Sequence, residues 1–194
     1  MLTVIAYLLG SVSAAMVVCR LTGLPDPRTQ GSGNPGATNV LRIGGRGPAA
    51  LTLAGDFLKG LAPVLAAHML GLSDVWIGAA MLGAFFGHLY PVWFGFQGGK
   101  GVATQLGVLV GMHALVGLGT ALTWAAVAGA LRYSSLAALI SAWLAPGYTF
   151  ALTGSWPLTG ATAVIAAVIT WRHRGNIARL RAGTEPRIGH RKEA

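Results

Sequence analysis

Charged and uncharged positions along this chain segregate into long blocks. Residues 1–19, 75–99, 101–131 and 133–171 carry no Asp, Glu, Lys or Arg, and a further apolar block over 48–72 contains the ionisable Asp56, Lys59 and His68. A helix needs about 20 apolar residues to cross a hydrocarbon core, so the uncharged blocks predict one, one, two short and two crossings, with another over 48–72. The expected fold is all-α and integral to a membrane: seven transmembrane helices in one polytopic domain over residues 1–194, with a basic tail from about 172 to 194. The block 101–131 is tight for two helices. Because Lys100 and Arg132 bracket it and are expected on the same face, it must cross an even number of times or re-enter. Residues 1–19 are read as a retained helix, since no basic residue precedes the apolar run and it flows into Arg20 without a clean small-x-small cleavage site.

The cations give the orientation. Of the 14 Lys and Arg, all but Lys59 fall after the first, third, fifth or last predicted span, while the segments near 71–75, 113–120 and 153–157 carry none. Positive charge is retained on the cytoplasmic face, so the N-terminus is expected outside and the C-terminus inside. Composition then narrows the class. Hydrophobic residues make up 54% and charged residues 10%, against about 25% charged in soluble domains, and the mean hydropathy is +0.62. Seven spans take roughly 140 residues, which leaves no room for a separate soluble domain. A net charge of +9 would suggest nucleic acid in a soluble protein; here it is a topology signal. The single Cys19 excludes an internal disulfide framework, and the scattered histidines suggest no metal cage, so neither cofactor nor metal is expected.

Three glycine-rich polar clusters fall on the predicted cytoplasmic side. In the first, residues 31–39, glycines allow backbone N–H groups to curl into an anion-binding nest, with Ser32, Asn34, Thr38 and Asn39 as neutral donors and Arg42 as a forked cation. The same residues also suit a plain polar turn capped by Thr38 or Asn39. In the second, Gly98, Gly99, Lys100 and Gly101 precede a helix N-terminus, combining backbone donors, the positive end of a helix dipole and an ammonium. It is not a Walker A loop, because Gly101 follows the lysine. A mobile loop whose Lys100 only sets topology is the other reading. In the third, His173 and Asn176 stand three apart and can share a face of a helix running past the bilayer, while Arg187, Arg191 and Lys192 read as a lipid-facing basic tail. Asp56 and Lys59, also three apart, form a local pair inside the membrane or else support a substrate site. No His-x4-Asp string occurs, so the common His–Asp acyltransferase dyad is expected to be absent, as is a Ser-His-Asp assembly.

The strings GSGNPGATNVLRIGG (31–45), GHLYPVWFGFQGGKGVAT (87–104) and HRGNIARLRAGTE (173–185) resemble, in order and spacing, the three motifs of the bacterial acyl-phosphate glycerol-3-phosphate acyltransferase family (PlsY), and GDFLKG (55–60) is similar to its second helix. Departures are mild, at Tyr90 and at Arg46 with Pro48. The resemblance implies a seven-helix enzyme of the bacterial inner membrane that uses acyl phosphate and glycerol 3-phosphate, works among membrane lipids in phospholipid biosynthesis, and engages no nucleic acid. It implies catalytic roles for Ser32, Arg42, Lys100, His173 and Asn176. Substrate binding is implied for Gly33, Asn34, Thr38, Asn39, Gly98, Gly99, Gly101 and Thr104. The competing classes are a small anion transporter and an inert lipid-binding scaffold. Polar clusters confined to one face disfavour alternating access, which places its site near the midplane.

The charge pattern sets a topology test. Cysteines placed at Ser73 and Ser155 should react with an impermeant thiol reagent added outside, and one at Ser134 should not. Outside labelling at Ser134 would overturn the orientation.

Overall fold

The computed structural model describes residues 1–189 and is helical throughout its regular structure. The chain divides into two compact units, Met1–Met112 and the part from His113 onward. In the first, α1 (Leu2–Gly10) and α2 (Ala14–Leu21) are halves of one apolar stretch, followed by α3 (Ala37–Gly44), α4 (Arg46–Met69), α5 (Asp74–Leu89), a single 3-10 turn at Val92–Phe94, and α6 (Val102–Met112). The second comprises α7 (Ala114–Leu131), α8 (Ser134–Thr153), α9 (Trp156–Arg172) and α10 (Arg174–Arg181).

Among the described residues five stretches are long and apolar enough to cross a membrane: Leu2–Leu21, Arg46–Met69, Asp74–Phe94, Ala114–Leu131 and Ser134–Thr153. Two expected crossings are shorter. Helix α9 has 17 residues and α6 has 11, and at 1.5 Å per residue the latter rises only about 16 Å. The reason is in the sequence: residues 97–101 carry no regular structure ahead of α6, and His113 breaks the helix behind it.

In the first unit α1 packs on α5, and α4 packs on α6. These contacts are close because small residues face backbone. A side chain at Gly87 would overlap the carbonyl of Tyr7, and one at Gly107 would overlap that of Phe57. The short α3 is pinned by Val40, which is buried with Ala15, Cys19 and Ala49 under Leu24 and Ile43. Burying a valine of this kind is worth roughly 1.5–3 kcal/mol, enough to fix a two-turn helix at the end of a bundle.

In the second unit, polar side chains join neighbouring helices. Thr123 and Tyr148 hydroxyls lie 2.9 Å apart between α7 and α8, and Trp143 Nε1 donates to Thr170 Oγ1 at 2.9 Å between α8 and α9. The basic tail is more ordered than its composition suggests. Its first part is α10, and the Ile188 amide donates to the Arg132 carbonyl at 2.7 Å while Arg187 Nε donates to Tyr133 Oη at 3.1 Å. Arg187, expected to face lipid, is thus tied to a tyrosine; Arg191 and Lys192 lie outside the described residues. Ser155 is buried and its hydroxyl accepts from the Leu158 amide as the cap of α9, so Ser73, which is exposed, is the better outer labelling position.

Candidate functional site

The first glycine loop is built around Asn39. Gly31 and Gly33 have φ of +61° and +70°, giving the chain the alternating curvature of a nest. Asn39 closes it: its Oδ1 accepts from the Ser32 amide at 2.8 Å, and its Nδ2 donates to the carbonyls of Pro27 at 2.8 Å and Gln30 at 3.0 Å. Asn39 is 1% exposed, so its amide braces the loop from within. Gly36, not Thr38 or Asn39, caps α3. The Ser32 hydroxyl, Thr38 and Arg42 remain exposed, and Thr38 and Arg42, four apart on α3, share one face. Asp26 anchors the entry to this loop. The Arg28 guanidinium bonded to it at 2.7 Å holds its carboxyl below the usual carboxylate range, and the same guanidinium donates to the Phe94 carbonyl at 3.3 Å, reaching the second loop.

The second loop runs from the 3-10 turn to α6. The Gly98 amide donates to the Leu89 carbonyl at 3.1 Å, and Gly101, at φ +86°, packs on the Phe85 ring and Leu89. Gly99 sits between two groups: a Cβ there would overlap His88 Nε2 and stand 3.1 Å from the Pro35 carbonyl. The two glycine loops therefore meet, Pro35 of the first against Gly99 of the second. Behind them lies a buried charged cluster. Asp56 Oδ1 is 2.8 Å from Lys59 Nζ and 3.4 Å from His88 Nδ1, with side-chain exposures of 3%, 8% and 5%. Lys59 Nζ also donates to the Val12 carbonyl at 2.8 Å, a group set free by the break between α1 and α2. Thr104, fully buried, donates from its hydroxyl to the Asp56 carbonyl at 3.0 Å, seating α6 on α4.

The third motif lies in the second unit. His173 sits at the joint of α9 and α10, 3% exposed, with Nδ1 2.9 Å from the Ile169 carbonyl. A carbonyl can only accept, so Nδ1 carries a proton. Asn176 Nδ2 donates to Glu185 Oε1 at 2.6 Å, and the same carboxylate accepts from Ser135 Oγ at 2.6 Å and from Arg179 Nε at 2.8 Å. Burial opposes ionisation of Glu185, and the three donors outweigh it, holding its pKa below the ordinary 4.5.

With the geometry in view, the comparisons are decisive. A family model described as glycerol-3-phosphate acyltransferase matches residues 1–183. The chain belongs to that family. A glycerol-3-phosphate acyltransferase from Thioalkalivibrio sulfidiphilus is 61% identical over 186 residues, covering 96% of this chain and 92% of that one. Another, from Halorhodospira halophila, is 58% identical, covering 97% and 95%. The fold also matches a crystal structure of PlsY, an integral membrane glycerol 3-phosphate acyltransferase, in its glycerol 3-phosphate form, at TM-score 0.92 and 41% identity over 97% of this chain and 94% of that one. The lysophosphatidic acid form of that enzyme matches at TM-score 0.90 and 40% identity.

For the family motifs, the structure brings the first two together in one unit and holds His173 and Asn176 in the other. Asn39 and Thr104, expected on the substrate, commit their polar side-chain atoms to the protein's own backbone and act as braces. No His-x4-Asp string exists, yet α4 and α5 bring Asp56 and His88 together. Sequence reasoning gave His88 no role and missed Glu185. The available signal for the first was an acid inside a predicted membrane helix, which requires partners.

Two predictions follow from these contacts. A Cβ at Gly98 would overlap the backbone carbonyls of His88 and Leu89, which cannot move aside, whereas Gly95, at φ +65°, faces open space. Gly98→Ala should therefore lower turnover on the order of a hundredfold, the scale of a misplaced catalytic loop, while Gly95→Ala keeps turnover and loses about 1 kcal/mol of stability. Steady-state kinetics and thermal melts of both variants check this. The second concerns Glu185. Because its folded pKa is depressed, its stabilising contribution is present above the unfolded pKa and is lost as pH falls through the folded value. Thermal melts from about pH 7 down to about pH 3 should show an acid-side loss that is smaller in Glu185→Gln, which is the less stable protein at neutral pH. Equal acid sensitivity of the two proteins would remove Glu185 as the source.

Proposed function

We propose that this chain is a membrane enzyme that transfers the acyl group of acyl phosphate to glycerol 3-phosphate, giving 1-acylglycerol 3-phosphate and orthophosphate. The observation that carries the reading is the meeting of the two glycine loops at Pro35 and Gly99. A reaction that joins two phosphorylated substrates needs adjacent donor-rich surfaces, and these loops bring the hydroxyls of Ser32 and Thr38 and the cations Arg42 and Lys100. The names of the relatives supply the acceptor, glycerol 3-phosphate.

The chemistry is a single displacement at carbon. The acceptor hydroxyl oxygen bonds to the acyl carbonyl carbon, the bond from that carbon to the phosphate oxygen breaks, and its electron pair leaves with orthophosphate, which also takes the hydroxyl proton. An acyl phosphate is already an activated anhydride, so positioning and charge stabilisation suffice. Arg42 and Lys100 neutralise the phosphoryl groups, and Ser32 donates from its hydroxyl. Gly33, Asn34, Thr38, Gly98, Gly99 and Gly101 shape and line the anion sites, braced by Asn39 and Thr104. His173 and Asn176 of the third motif are further catalytic candidates, each with its orientation fixed by a hydrogen bond inside the second unit. The enzyme sits in the bacterial cytoplasmic membrane among lipids, crossing seven times with the N-terminus outside. That count takes Leu2–Leu21 as one crossing and includes the shorter α6 and α9; the cation pattern supports the orientation.

Donor choice tests the reading. Purified protein in detergent is given glycerol 3-phosphate with acyl phosphate, acyl coenzyme A or acyl carrier protein at equal concentration, and the intact protein is weighed for an acyl adduct. Acyl phosphate should react far faster, because a thioester leaves the phosphate site empty and its sulfur accepts hydrogen bonds poorly. No acyl-enzyme should accumulate. Comparable thioester rates, or a trapped acyl-serine, would overturn the mechanism.

A further inference from the structure

The Asp56, Lys59 and His88 cluster is not needed to explain the reaction above, and its cost is high. An ion pair buried at membrane depth is a weak source of stability, since desolvation offsets most of its attraction. A Lys59–Asp56 pair at 2.8 Å, with Lys59 also on the Val12 carbonyl, already satisfies both charges. His88 is additional: Asp56 Oδ1 faces its Nδ1 from 3.4 Å. The imidazole's other edge faces the glycine loop. Nε2 occupies the space that a side chain on Gly99 would need, and the next carbonyl of α5, that of Leu89, accepts from the Gly98 amide at 3.1 Å. The last turn of α5 thus holds both residues that precede Lys100. The carboxylate sets the plane of the ring and, by favouring the proton on Nδ1, presents Nε2 to the loop as an acceptor.

We propose that Asp56 and His88 are positioning residues for the second anion site: the carboxylate orients the imidazole, and the imidazole fixes the Gly99–Lys100 backbone. Lys59 and the break between α1 and α2 hold the carboxylate in turn. The proposal rests on the anion-site role given to this loop above, and deepens it by naming what keeps the loop in register.

The experiment is a double-mutant cycle on the full-length protein. His88→Asn keeps an amide donor near the position of Nδ1 but vacates the Gly99 face. His88→Gln reaches the Nε2 position but loses the Asp56 partner, and Asp56→Asn keeps shape without charge. Each is made alone, as is Lys100→Ala, and His88→Asn is combined with Lys100→Ala. Melting temperature, kcat and KM with acyl phosphate, and equilibrium binding of glycerol 3-phosphate and of inorganic phosphate are measured. We expect His88→Asn and Asp56→Asn to melt near the parent yet to lose at least about tenfold in kcat/KM, and His88→Asn to cost little more once Lys100 is gone, because coupled residues are not additive. His88→Gln should recover part of what His88→Asn loses.

Parent-like kinetics in His88→Asn and Asp56→Asn would overturn the proposal. So would full additivity with Lys100→Ala, which would mean that the ring acts independently of the loop. If none of the three single variants folds, the cluster is a structural element only and the proposal fails. The two readings fail separately: a parent that binds phosphate but does not use acyl phosphate sinks the proposed reaction, while the cycle is still read from phosphate binding.

Discussion

The structural logic of the first unit starts from an aspartate and a lysine one helical turn apart in α4, both buried. Charges at membrane depth must be compensated within the protein, because no solvent is there to do it. The ammonium finds the Val12 carbonyl, and that carbonyl is free because the first apolar stretch breaks between α1 and α2. The break places an unpaired backbone acceptor opposite a cation. Glycines and alanines at the helix contacts bring the backbones close enough for the bond to form, as where Gly55 faces Ala14. A local defect in one helix and a costly pair in another compensate each other.

The glycine loops depend on that arrangement from outside the bundle. Neither loop is held chiefly by apolar packing. The first is closed by one buried amide, Asn39, that spans Pro27, Gln30 and Ser32. The second rests on the end of α5 through Leu89 and His88. Such loops keep a fixed backbone: the amides of Ser32, Gly33, Gly36 and Gly98 are spent inside the protein, while the side chains of Ser32, Thr38 and Arg42 stay exposed.

What could be read in the chain was whatever depends on local spacing. The uncharged blocks mark the long helices, the glycines and Lys100 mark a loop ahead of the α6 N-terminus, and the three-residue interval marks the Asp56–Lys59 pair. The break at Ser11 to Ser13 was not read, since an apolar run carries no sign of where it bends, whereas the one near 113–120 was required by Lys100 and Arg132 sharing a face. The pairing of Asp56 with His88 was hidden because it depends on how α4 and α5 pack, and a search for a contiguous His–Asp string looks in the wrong dimension. Glu185 was hidden for the same reason: its role depends on a return of the chain that brings Ser135, Asn176 and Arg179 to one carboxylate.

The placement of the acids explains how so few of them serve a phosphate-handling protein. The chain has only five Asp and Glu. Asp26 is bound to Arg28, Asp56 to Lys59 with His88 beside it, and Glu185 to three donors. Each of these carboxylates is turned onto the protein's own donors and fixes a group that matters to a motif: the entry to the first loop, the ring behind the second, the amide of the third. A carboxylate facing a bound phosphate would repel it strongly where little water screens the charges. By saturating these acids internally the fold uses them as scaffolding, so their charge is spent on the protein's own donors while Ser32, Thr38 and Arg42 of the first motif stay exposed. Such a surface suits a phosphorylated substrate, whose oxygens bring the acceptors that these hydroxyls and cations need.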